Sequence, residues 1–469
     1  MNLCPKSLFR LYLLRSNLVK FKHIHTNMPS IHTIAVCQFT ATNNKEHNFK
    51  VVENLVKYAY EQKAKMVFLP EATDFIGIND SDSKKFSEPL DGPLMSSYKE
   101  MASQYKLWLS IGGFHEVQCT PDNMVYYNSH VVISDTGDIK AVYRKLHLFD
   151  AYLPDKEVTL KESNTISPGS EIIPPVSTSV GNIGLMICYD LRFPELSIVL
   201  KKLGANILTF PSAFTVPTGE AHWETLLKAR AIENQCYVIA AAQYGVHNEK
   251  RKSFGQSLVI DPWGKIIAQA PKYTPKISTH QNVILAAIDQ NMQKHVHDRM
   301  PVYNHRRDDL YQLVPTTISL TNLPSDFLFS EKVIPNSVVF YCTPYSYAFT
   351  NIRCVVPGHV LVASRRPAKR LGDLSISEAN DFIQTTIKVQ KLVENVYKAK
   401  SSTVCVQDGP EAGQTVAHVH CHILPRKSGD FPHNDDVYVA LARHDKRDKE
   451  PMRTLEEMSE EATLLRNNL

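Results

Sequence analysis

Residues 184–195 read Gly-Leu-Met-Ile-Cys-Tyr-Asp-Leu-Arg-Phe-Pro-Glu, in which an apolar strand leads directly into the start of a helix. A turn of this kind exposes one side chain and directs backbone N–H groups at whatever that side chain attacks. Cys188 occupies the turn and is therefore a candidate nucleophile. Free cysteine is also among the most buried residue types, so the turn alone leaves a nucleophile and a core residue as open interpretations.

The sequence on both sides of this turn alternates short apolar runs with amphipathic helices, starting at Thr33. That alternation predicts a layered α/β domain. The predicted strands are Ile34–Gln38, Met66–Leu69, Trp108–Phe114, Asn128–Ile133, Gly184–Cys188, Ile207–Phe210, Tyr237–Ala242 and Ser257–Ile260.

Two charged residues stand near predicted strand ends. Glu71 follows one strand in Val-Phe-Leu-Pro-Glu-Ala, where its apolar neighbours are expected to raise its pKa and make it a base. Lys145 lies in Tyr-Arg-Lys-Leu-His-Leu-Phe-Asp, where a fixed ammonium would stabilise an oxyanion. A capping or surface glutamate and a solvated basic stretch are the structural alternatives for these two residues.

Taken together, these three motifs are more specific than any one of them. They occur in a fixed order, and with them residues 31–315 resemble the nitrilase superfamily, with residues 211–235 similar to its Nit branch of amidases. The resemblance implies an α-β-β-α sandwich in which Glu71 is the general base, Lys145 stabilises the oxyanion and Cys188 is the nucleophile. It also assigns to Glu162 the positioning of the lysine and the substrate.

The same resemblance implies the chemistry. Cys188 would form a thioester with a small carboxylate-bearing amide, ammonia would leave, and water would release the acid, with no metal or cofactor. Deaminated glutathione is the leading substrate that the resemblance implies. A homotetramer assembled through this domain is the implied state, with dimers formed by the domain that follows.

Three histidines alternate with apolar residues in Ala-His-Val-His-Cys-His-Ile-Leu-Pro-Arg, residues 417–426. On a strand over Ala417–Leu424, His418, His420 and His422 would project from one face while the residues between them point to the core. Imidazoles on one face serve as metal ligands or as catalysts. The triplet by itself leaves both interpretations open.

The segment before the histidines, residues 407–416, is polar and contains glycines that can offer backbone N–H groups to phosphate oxygens. With the triplet it resembles the fragile-histidine-triad branch of the histidine-triad superfamily, from about residue 329 to at least 450. The resemblance implies an α+β fold with an antiparallel sheet that dimerises. It also implies that His420 attacks the α-phosphorus of diadenosine triphosphate, giving AMP and ADP through a nucleotidyl-histidine intermediate.

The other roles in this site come from the resemblance as well. His359 would fix the imidazole of His420, His418 would donate to the phosphate or orient the nucleophile, and Asn351 would hold the ribose. Mn²⁺ or Mg²⁺ would accompany the substrate phosphates and would not bind to the protein. The remaining phosphate contacts are assigned to His422, Gln407, Gly413, Gln414, Thr415 and Val416.

Three further positions in this region bear on the resemblance. Cys421 stands where the family more often has Val or Ile, a conservative change if the side chain faces the core. Lys332 stands where the family often has a histidine that contacts the substrate. Tyr438 matches a family tyrosine in a mobile loop near the substrate.

Length and composition limit the remaining possibilities. A chain of 469 residues without an internal repeat predicts two different domains. A formal net charge of +4 gives no electrostatic case for a nucleic-acid or membrane partner, and the scattered, odd-numbered nine cysteines indicate a reducing compartment. No apolar run reaches 18 residues.

The predicted organisation is a leader at 1–30, a nitrilase-like domain at 31–315, a linker at 316–326 and a histidine-triad domain at 327–469. Residues 1–27 are basic and lack acidic residues, which fits a mitochondrial presequence, and Met28 offers a second start. An untranslated or disordered leader before a cytoplasmic enzyme is the alternative.

These inferences combine into a bifunctional hydrolase. The alternative is a second domain that acts mainly as a dinucleotide-binding signalling module on a nitrilase-like scaffold.

Overall fold

The protein is described by a computed structural model that covers residues 31–119, 123–153, 158–307, 310–311, 313, 326–444 and 452–469. The predicted leader lies outside these residues, and so does the predicted linker apart from Asp326. No helix within the described ranges is long and apolar enough to cross a membrane.

The first part of the chain alternates strands and helices, as the sequence predicts. Its strands are β1 (Ile31–Gln38), β2 (Met66–Phe68), β3 (Trp108–Cys119), β4 (Met124–Ile133), β5 (Ile139–Arg144), β6 (Asp150–Leu153), β7 (Val158–Lys161), β8 (Val176–Thr178), β9 (Gly181–Leu185), β10 (Ile207–Thr209), β11 (Tyr237–Ala240), β12 (Tyr244–Val246), β13 (Lys252–Phe254), β14 (Leu258–Ile260), β15 (Ile266–Gln269) and β16 (Asn282–Asp289). Its helices are α1 (Lys45–Glu61), α2 (Asp80–Phe86), α3 (Pro93–Tyr105), α4 (Pro194–Lys202), α5 (Val216–Asn234) and α6 (Gln290–Arg299).

Two six-stranded sheets form the middle of this domain, in the orders β16-β1-β2-β3-β4-β5 and β15-β14-β11-β10-β9-β8. Apolar side chains from both sheets form one core between them, while α1 and α3 cover the outer face of the first sheet. In α1, Val52, Val56 and Ala59 recur at helical spacing and are fully buried against that sheet. On the second sheet, α4 and α5 contribute Leu200 and Leu227 to the core. The predicted α-β-β-α sandwich is confirmed.

The second part of the chain folds around one antiparallel sheet. Its strands are β17 (Asp326–Phe329), β18 (Lys332–Pro335), β19 (Val339–Cys342), β20 (Ser346–Thr350), β21 (Val360–Ser364), β22 (Ser401–Cys405) and β23 (His420–Arg426), and its helices are α7 (Ile376–Tyr397), α8 (Asp436–His444) and α9 (Leu455–Arg466). The sheet has the order β19-β20-β21-β23-β22, and α7 and α9 pack on one of its faces. The predicted α+β fold is confirmed.

Helix α7 begins where the sequence predicts. The Ser375 hydroxyl accepts the Glu378 N–H at 3.3 Å, and the Glu378 carboxylate accepts the Ser375 N–H at 2.8 Å. This reciprocal pair satisfies two N–H groups that the first helical turn cannot bond internally. It fixes the start of the helix that covers the sheet.

Several strands end earlier or start later than predicted, and these differences place the site residues in turns. Strand β2 ends at Phe68 and β9 ends at Leu185, so both Glu71 and Cys188 lie beyond their strands. Strand β23 begins at His420, which leaves His418 in the segment that leads into it.

Candidate active sites

Cys188 is the first residue of a 3-10 helix, Cys188–Arg192, which follows β9 after a short turn. Its backbone φ is +45°, a region that residues other than glycine rarely adopt, and its N–H donates to the Pro211 carbonyl at 2.9 Å. Such strain persists only where surrounding contacts fix the backbone, and it concentrates at functional sites. The side chain is 9% exposed, so a substrate would reach it in a largely dry environment.

Three charged side chains converge next to this cysteine. Lys145 Nζ lies 3.0 Å from Glu71 Oε1 and 2.9 Å from Glu162 Oε2, and the Cys188 thiol interacts with the Glu71 carboxylate. Lys145 is 2% exposed and Glu71 is 5% exposed. All four residues predicted for this site are therefore brought together, with one cation between two carboxylates.

The expected rise in the pKa of Glu71 is wrong. Burial does act to raise that pKa, but the Lys145 ammonium and the hydrogen bonds from Cys188 and Lys145 outweigh burial and lower it. Sequence reasoning counted the apolar neighbours and not the cation 74 positions away. Glu71 is thus ionised at neutral pH, ready to accept a proton.

The same cluster sets the protonation of its other members. The pKa of Lys145 is well above its usual value, because Glu162 and Glu71 together overcome a burial effect that would lower it. Burial and the Glu71 charge raise the pKa of Cys188 well above its usual value, against the opposing effect of Lys145. The resting state is a neutral thiol beside a carboxylate, held by a fixed ammonium.

Sequence reasoning missed Asn128, which lies in β4 at the centre of the cluster. Its Nδ2 donates to Glu71 Oε1 at 3.0 Å and to Glu162 Oε1 at 3.1 Å, while its carbonyl accepts the Lys145 backbone N–H at 2.9 Å. Gly113 leaves the space that this arrangement needs, since a Cβ there would lie 2.7 Å from Glu71 Cγ. The run of three polar residues, Asn128 to His130, in the middle of β4 was the only indication in the sequence.

Asp190 is the second residue that sequence reasoning did not single out. Its fully buried carboxylate accepts the Ile187 N–H at 2.8 Å, the Tyr143 hydroxyl at 2.7 Å and the His147 N–H at 3.1 Å. His147 Nδ1 also lies 2.7 Å from it. Asp190 therefore ties the segment of Cys188 to the segment of Lys145.

In the second domain the row of histidines has the predicted facing. Val419 and Cys421 point into the core beneath α7, each 1% exposed, and burial raises the pKa of the Cys421 thiol to about 12. His418, His420 and His422 are buried on the other side. Because the Cys421 side chain faces the core, cysteine is a conservative change from the Val or Ile that is more frequent at this position.

Both ring nitrogens of His418 are engaged by the protein. Nδ1 accepts the Ser330 N–H at 2.8 Å, and Nε2 lies 2.6 Å from the Ser364 carbonyl oxygen, which can only accept. Burial, more than the neighbouring His420, lowers the pKa of His418 against the effect of the Ser364 hydrogen bond. The ring cannot offer a lone pair to a shared metal, so the geometry favours catalysis over the metal cluster that the triplet alone left open.

His420 is held by a backbone carbonyl. Its Nδ1 lies 2.7 Å from the His418 carbonyl oxygen, so Nδ1 carries the proton and the lone pair is on Nε2. The Gln414 amide donates a hydrogen bond to the same carbonyl at 3.3 Å, and the Phe329 ring packs edge-on to the His420 imidazole. Of the two roles predicted for His418, this contact favours orientation of the nucleophile.

The partner predicted for His359 is corrected. Its Nε2 lies 3.0 Å from Nδ1 of His422 and not at His420, and its Nδ1 accepts the Val355 N–H at 3.2 Å. Because Nδ1 of His359 is an acceptor, Nε2 must donate to His422, which then carries its own proton on Nε2. His422 of β23 pairs with Leu361 of β21. His359 lies two residues before Leu361 and therefore on the same side of the sheet, diagonally opposite His422.

The other predicted residues surround this row. Asn351 is buried with its amide 3.4 Å from His359 Nδ1, so its predicted contact with a ribose stays a prediction. Gly413 has a φ of +91° and packs against the Gln407 amide. Thr415 is exposed, and Val416 packs against the apolar cluster beneath the β17–β18 hairpin.

Two further residues lie at the surface. Lys332, at the start of β18, is exposed, and Tyr438 in α8 is 55% exposed. Their predicted proximity to a substrate stays a prediction. Across the described part of the chain, no group of three or more His, Cys, Asp or Glu side chains is arranged to hold a metal ion.

Comparisons with known families give the class of protein. Residues 33–297 match the carbon-nitrogen hydrolase family, and residues 331–429 match the HIT domain. The molecule therefore has two domains, each from a family of hydrolases, joined in one chain.

Comparisons with individual proteins are more specific. The nitrilase and fragile histidine triad fusion protein NitFhit of Drosophila melanogaster is 46% identical over 437 residues, covering 93% of this chain and 92% of that protein. The crystal structure of the Caenorhabditis elegans NitFhit protein matches with a TM-score of 0.79 at 44% identity, covering 94% of this chain and 99% of that one. The chain belongs to the family of nitrilase and fragile histidine triad fusion proteins.

The first domain has relatives of its own. The deaminated glutathione amidase of Homo sapiens is 48% identical over 279 residues, which cover 59% of this chain and 83% of that protein. This likeness supports an amidase activity for the first domain.

Proposed function

We propose that the first domain hydrolyses a small carboxylate-bearing amide, with deaminated glutathione as the substrate to test first. The observation that carries this proposal is the cluster of Glu71, Lys145 and Glu162 next to the strained turn of Cys188, with Lys145 Nζ 3.0 Å from Glu71 Oε1 and 2.9 Å from Glu162 Oε2. The named activity of the human relative supports the choice of substrate.

The reaction follows from the protonation states. Glu71 takes the thiol proton as Cys188 attacks the amide carbonyl, and the oxyanion is stabilised by Lys145 and the Tyr189 backbone N–H. Protonated Glu71 returns its proton to the leaving nitrogen, which departs as ammonia and leaves a thioester on Cys188. Glu71 then takes a proton from water, which attacks the thioester and releases the acid and the thiol.

The amidase proposal is tested by a screen of carboxyl-bearing amides with mass spectrometry of the Cys188 peptide. We expect ammonia release with deaminated glutathione and a transient thioester mass on Cys188, both absent in Cys188→Ala. If wild type hydrolyses none of the amides, the first domain is a scaffold and the proposal fails.

We also propose that the second domain cleaves diadenosine triphosphate, supplied as its Mn²⁺ or Mg²⁺ complex, to AMP and ADP. The supporting observation is the His420 tautomer, whose Nδ1 proton is held by the His418 carbonyl and whose lone pair is on Nε2. That nitrogen attacks the α-phosphorus, ADP leaves, and water then releases AMP from the histidine. The Nε2 proton that His359 fixes on His422 is suited to a phosphate oxygen.

Comparison of wild type with His420→Asn for both binding and hydrolysis tests this second activity. We expect wild type to turn over the dinucleotide and His420→Asn to bind it without turnover. Binding without hydrolysis by wild type would instead indicate a dinucleotide-binding signalling module.

For the assembly we propose a homotetramer through the first domain, carrying paired dimers of the second. Light scattering on the purified chain should then give four times its 53.0 kDa mass. A mass of one or two chains would contradict this assembly.

A further inference from the structure

Asn128 has a position in the first site that none of the predicted roles explains. Both of its side-chain partners, Glu71 Oε1 and Glu162 Oε1, are carboxylate oxygens, which only accept hydrogen bonds when ionised. The atom that faces them must therefore be the amide nitrogen, with its two protons directed one to each carboxylate. The side chain is 7% exposed, so water does not supply an alternative donor.

The two carboxylates would repel each other without these donors. Lys145 supplies a single positive charge between them, at 3.0 Å from Glu71 and 2.9 Å from Glu162. Like charges inside a protein interact strongly because the surroundings are weakly polarisable. A neutral double donor stabilises both anions without adding charge, which neither a lysine nor an acid at this position would do.

The backbone of Asn128 also fixes the cation. Its backbone carbonyl accepts the Lys145 N–H at 2.9 Å. One residue of β4 therefore positions both the backbone of Lys145 and the two carboxylates. The Asn128 Oδ1 atom is buried and has no hydrogen-bond partner in the part of the chain that the structure describes. The side-chain carbonyl of Asn128 thus stays without a donor, while its side-chain nitrogen donates to two carboxylates.

We propose that Asn128 is a positioning residue of the first site, whose amide holds the Glu71 and Glu162 carboxylates around Lys145 so that Glu71 can take the Cys188 proton. This inference rests on the proposed amidase function. The charged and titratable groups that face this cluster are Glu71, Glu162, Lys145 and Cys188, together with Arg251, which acts on Glu71, and His115 of the neighbouring strand β3, which pairs with Asp74.

The test exchanges the amide and one acid. Asn128→Asp places a third carboxylate in the cluster, which raises the pKa of the Cys188 thiol, and Asn128→Asp with Glu162→Gln restores one amide and two acids. We measure the rate at which iodoacetamide alkylates Cys188 at pH 8, by mass spectrometry of its peptide in the full chain. Thermal unfolding is followed in parallel.

We expect Asn128→Asp to slow alkylation of Cys188 about tenfold, the effect of a pKa rise of about one unit. The exchange variant should recover most of this loss, and this recovery should exceed the gain in alkylation rate that Glu162→Gln alone brings in the wild-type background. Asn48→Asp is the matched control, since Asn48 is buried and its amide also donates twice, but to the Thr42 and Asp74 carbonyls. Its effect should simply add to that of Glu162→Gln.

An Asn128→Asp effect no larger than that of Asn48→Asp, or strict additivity in the exchange variant, would overturn the inference. Should Asn128→Asp not fold, Asn128→Ala takes its place, and it must lower the melting temperature less in the Glu162→Gln background than in wild type. Alkylation needs no amide substrate, so failure of the proposed amidase activity would appear separately, as absent turnover with intact Cys188 reactivity.

Discussion

The two sites of this molecule solve the problem of a buried catalytic group in opposite ways. The first collects three charged side chains from separate segments around the Cys188 thiol, with Lys145 and Glu71 74 positions apart, and it depends on a balance of charge. The second takes neutral imidazoles from one short segment and fixes their tautomers with backbone groups such as the His418 carbonyl. Removing one member should therefore leave a buried, unpaired charge in the first site but only a misdirected proton in the second.

The largest expected effect is that of Lys145→Met. Loss of the ammonium leaves Glu71 and Glu162 without a cation, which should destabilise the first domain by about 3–5 kcal/mol. Loss of the oxyanion stabiliser should also lower kcat for amide hydrolysis at least ~100-fold. Chemical denaturation followed by fluorescence, together with the amide assay, measures both.

Lys140→Met is the matched control for this variant, because Lys140 lies on β5, the strand that leads into Lys145, but its ion pair with Asp138 is exposed. Exposed pairs contribute about 1 kcal/mol or less. If the two lysine variants are equally stable, the charge balance attributed to the first site is wrong.

His359→Asn should have the next largest effect, in the second site. Without the hydrogen bond from His359, the His422 proton can move to Nδ1, where it no longer points to a phosphate. Loss of a hydrogen bond of about 1.5–3 kcal/mol lowers kcat for dinucleotide hydrolysis roughly 10- to 100-fold. Steady-state kinetics measure the change.

The exposed His433 of the same domain provides the control, and His433→Asn should leave kcat as in wild type. The free energy of unfolding of His359→Asn should stay close to that of wild type, because no charge is left unpaired. Its loss of stability should be much smaller than that of Lys145→Met. A loss of stability as large as that of Lys145→Met would contradict the contrast between the sites.

Asp190→Asn should have a smaller effect on the first site. An amide at this position replaces one acceptor oxygen by an NH2 group that faces other donors, which costs about 1–3 kcal/mol and shifts the Cys188 and Lys145 segments relative to each other. We expect kcat for the amide to fall about tenfold with little change in KM. Tyr143→Phe removes just one of the donors to Asp190 and should lower kcat less; an equal or larger loss would show that Asp190 does not join the segments.

These effects also show what the sequence could predict. The order of the motifs around Glu71, Lys145 and Cys188 located the first site, because each motif is local and chemically distinctive. Asn128 and Asp190 were missed because their importance comes from partners on other strands. The pKa of Glu71 was predicted in the wrong direction for the same reason, since its deciding neighbour is distant in the chain.

In the second domain the alternation of the triplet predicted its facing correctly, because a strand has a period of two. The partner of His359 depends on the register between β21 and β23, which the sequence does not contain in local form. The tautomers of His418 and His420 depend on individual carbonyl oxygens and could not be predicted at all.

The smallest expected effect is that of Cys421→Val. This side chain is 1% exposed in the core beneath α7 and does not share the histidine face, so a swap of similar volume should cost less than about 1.5 kcal/mol. Dinucleotide hydrolysis should be unchanged. Cys421→Ser, which buries a hydroxyl, should be clearly less stable in the same denaturation experiment, and a reversed order would place Cys421 outside the core.

The most direct test of the account is a crossed assay of Cys188→Ala and His420→Asn in the full chain. Both activities, release of ammonia from deaminated glutathione and cleavage of diadenosine triphosphate, are measured on each variant and on wild type. Two separate sites predict that Cys188→Ala abolishes amide hydrolysis and retains dinucleotide cleavage, while His420→Asn does the reverse. Loss of both activities in either folded variant, or retention of the matching activity, would contradict the account.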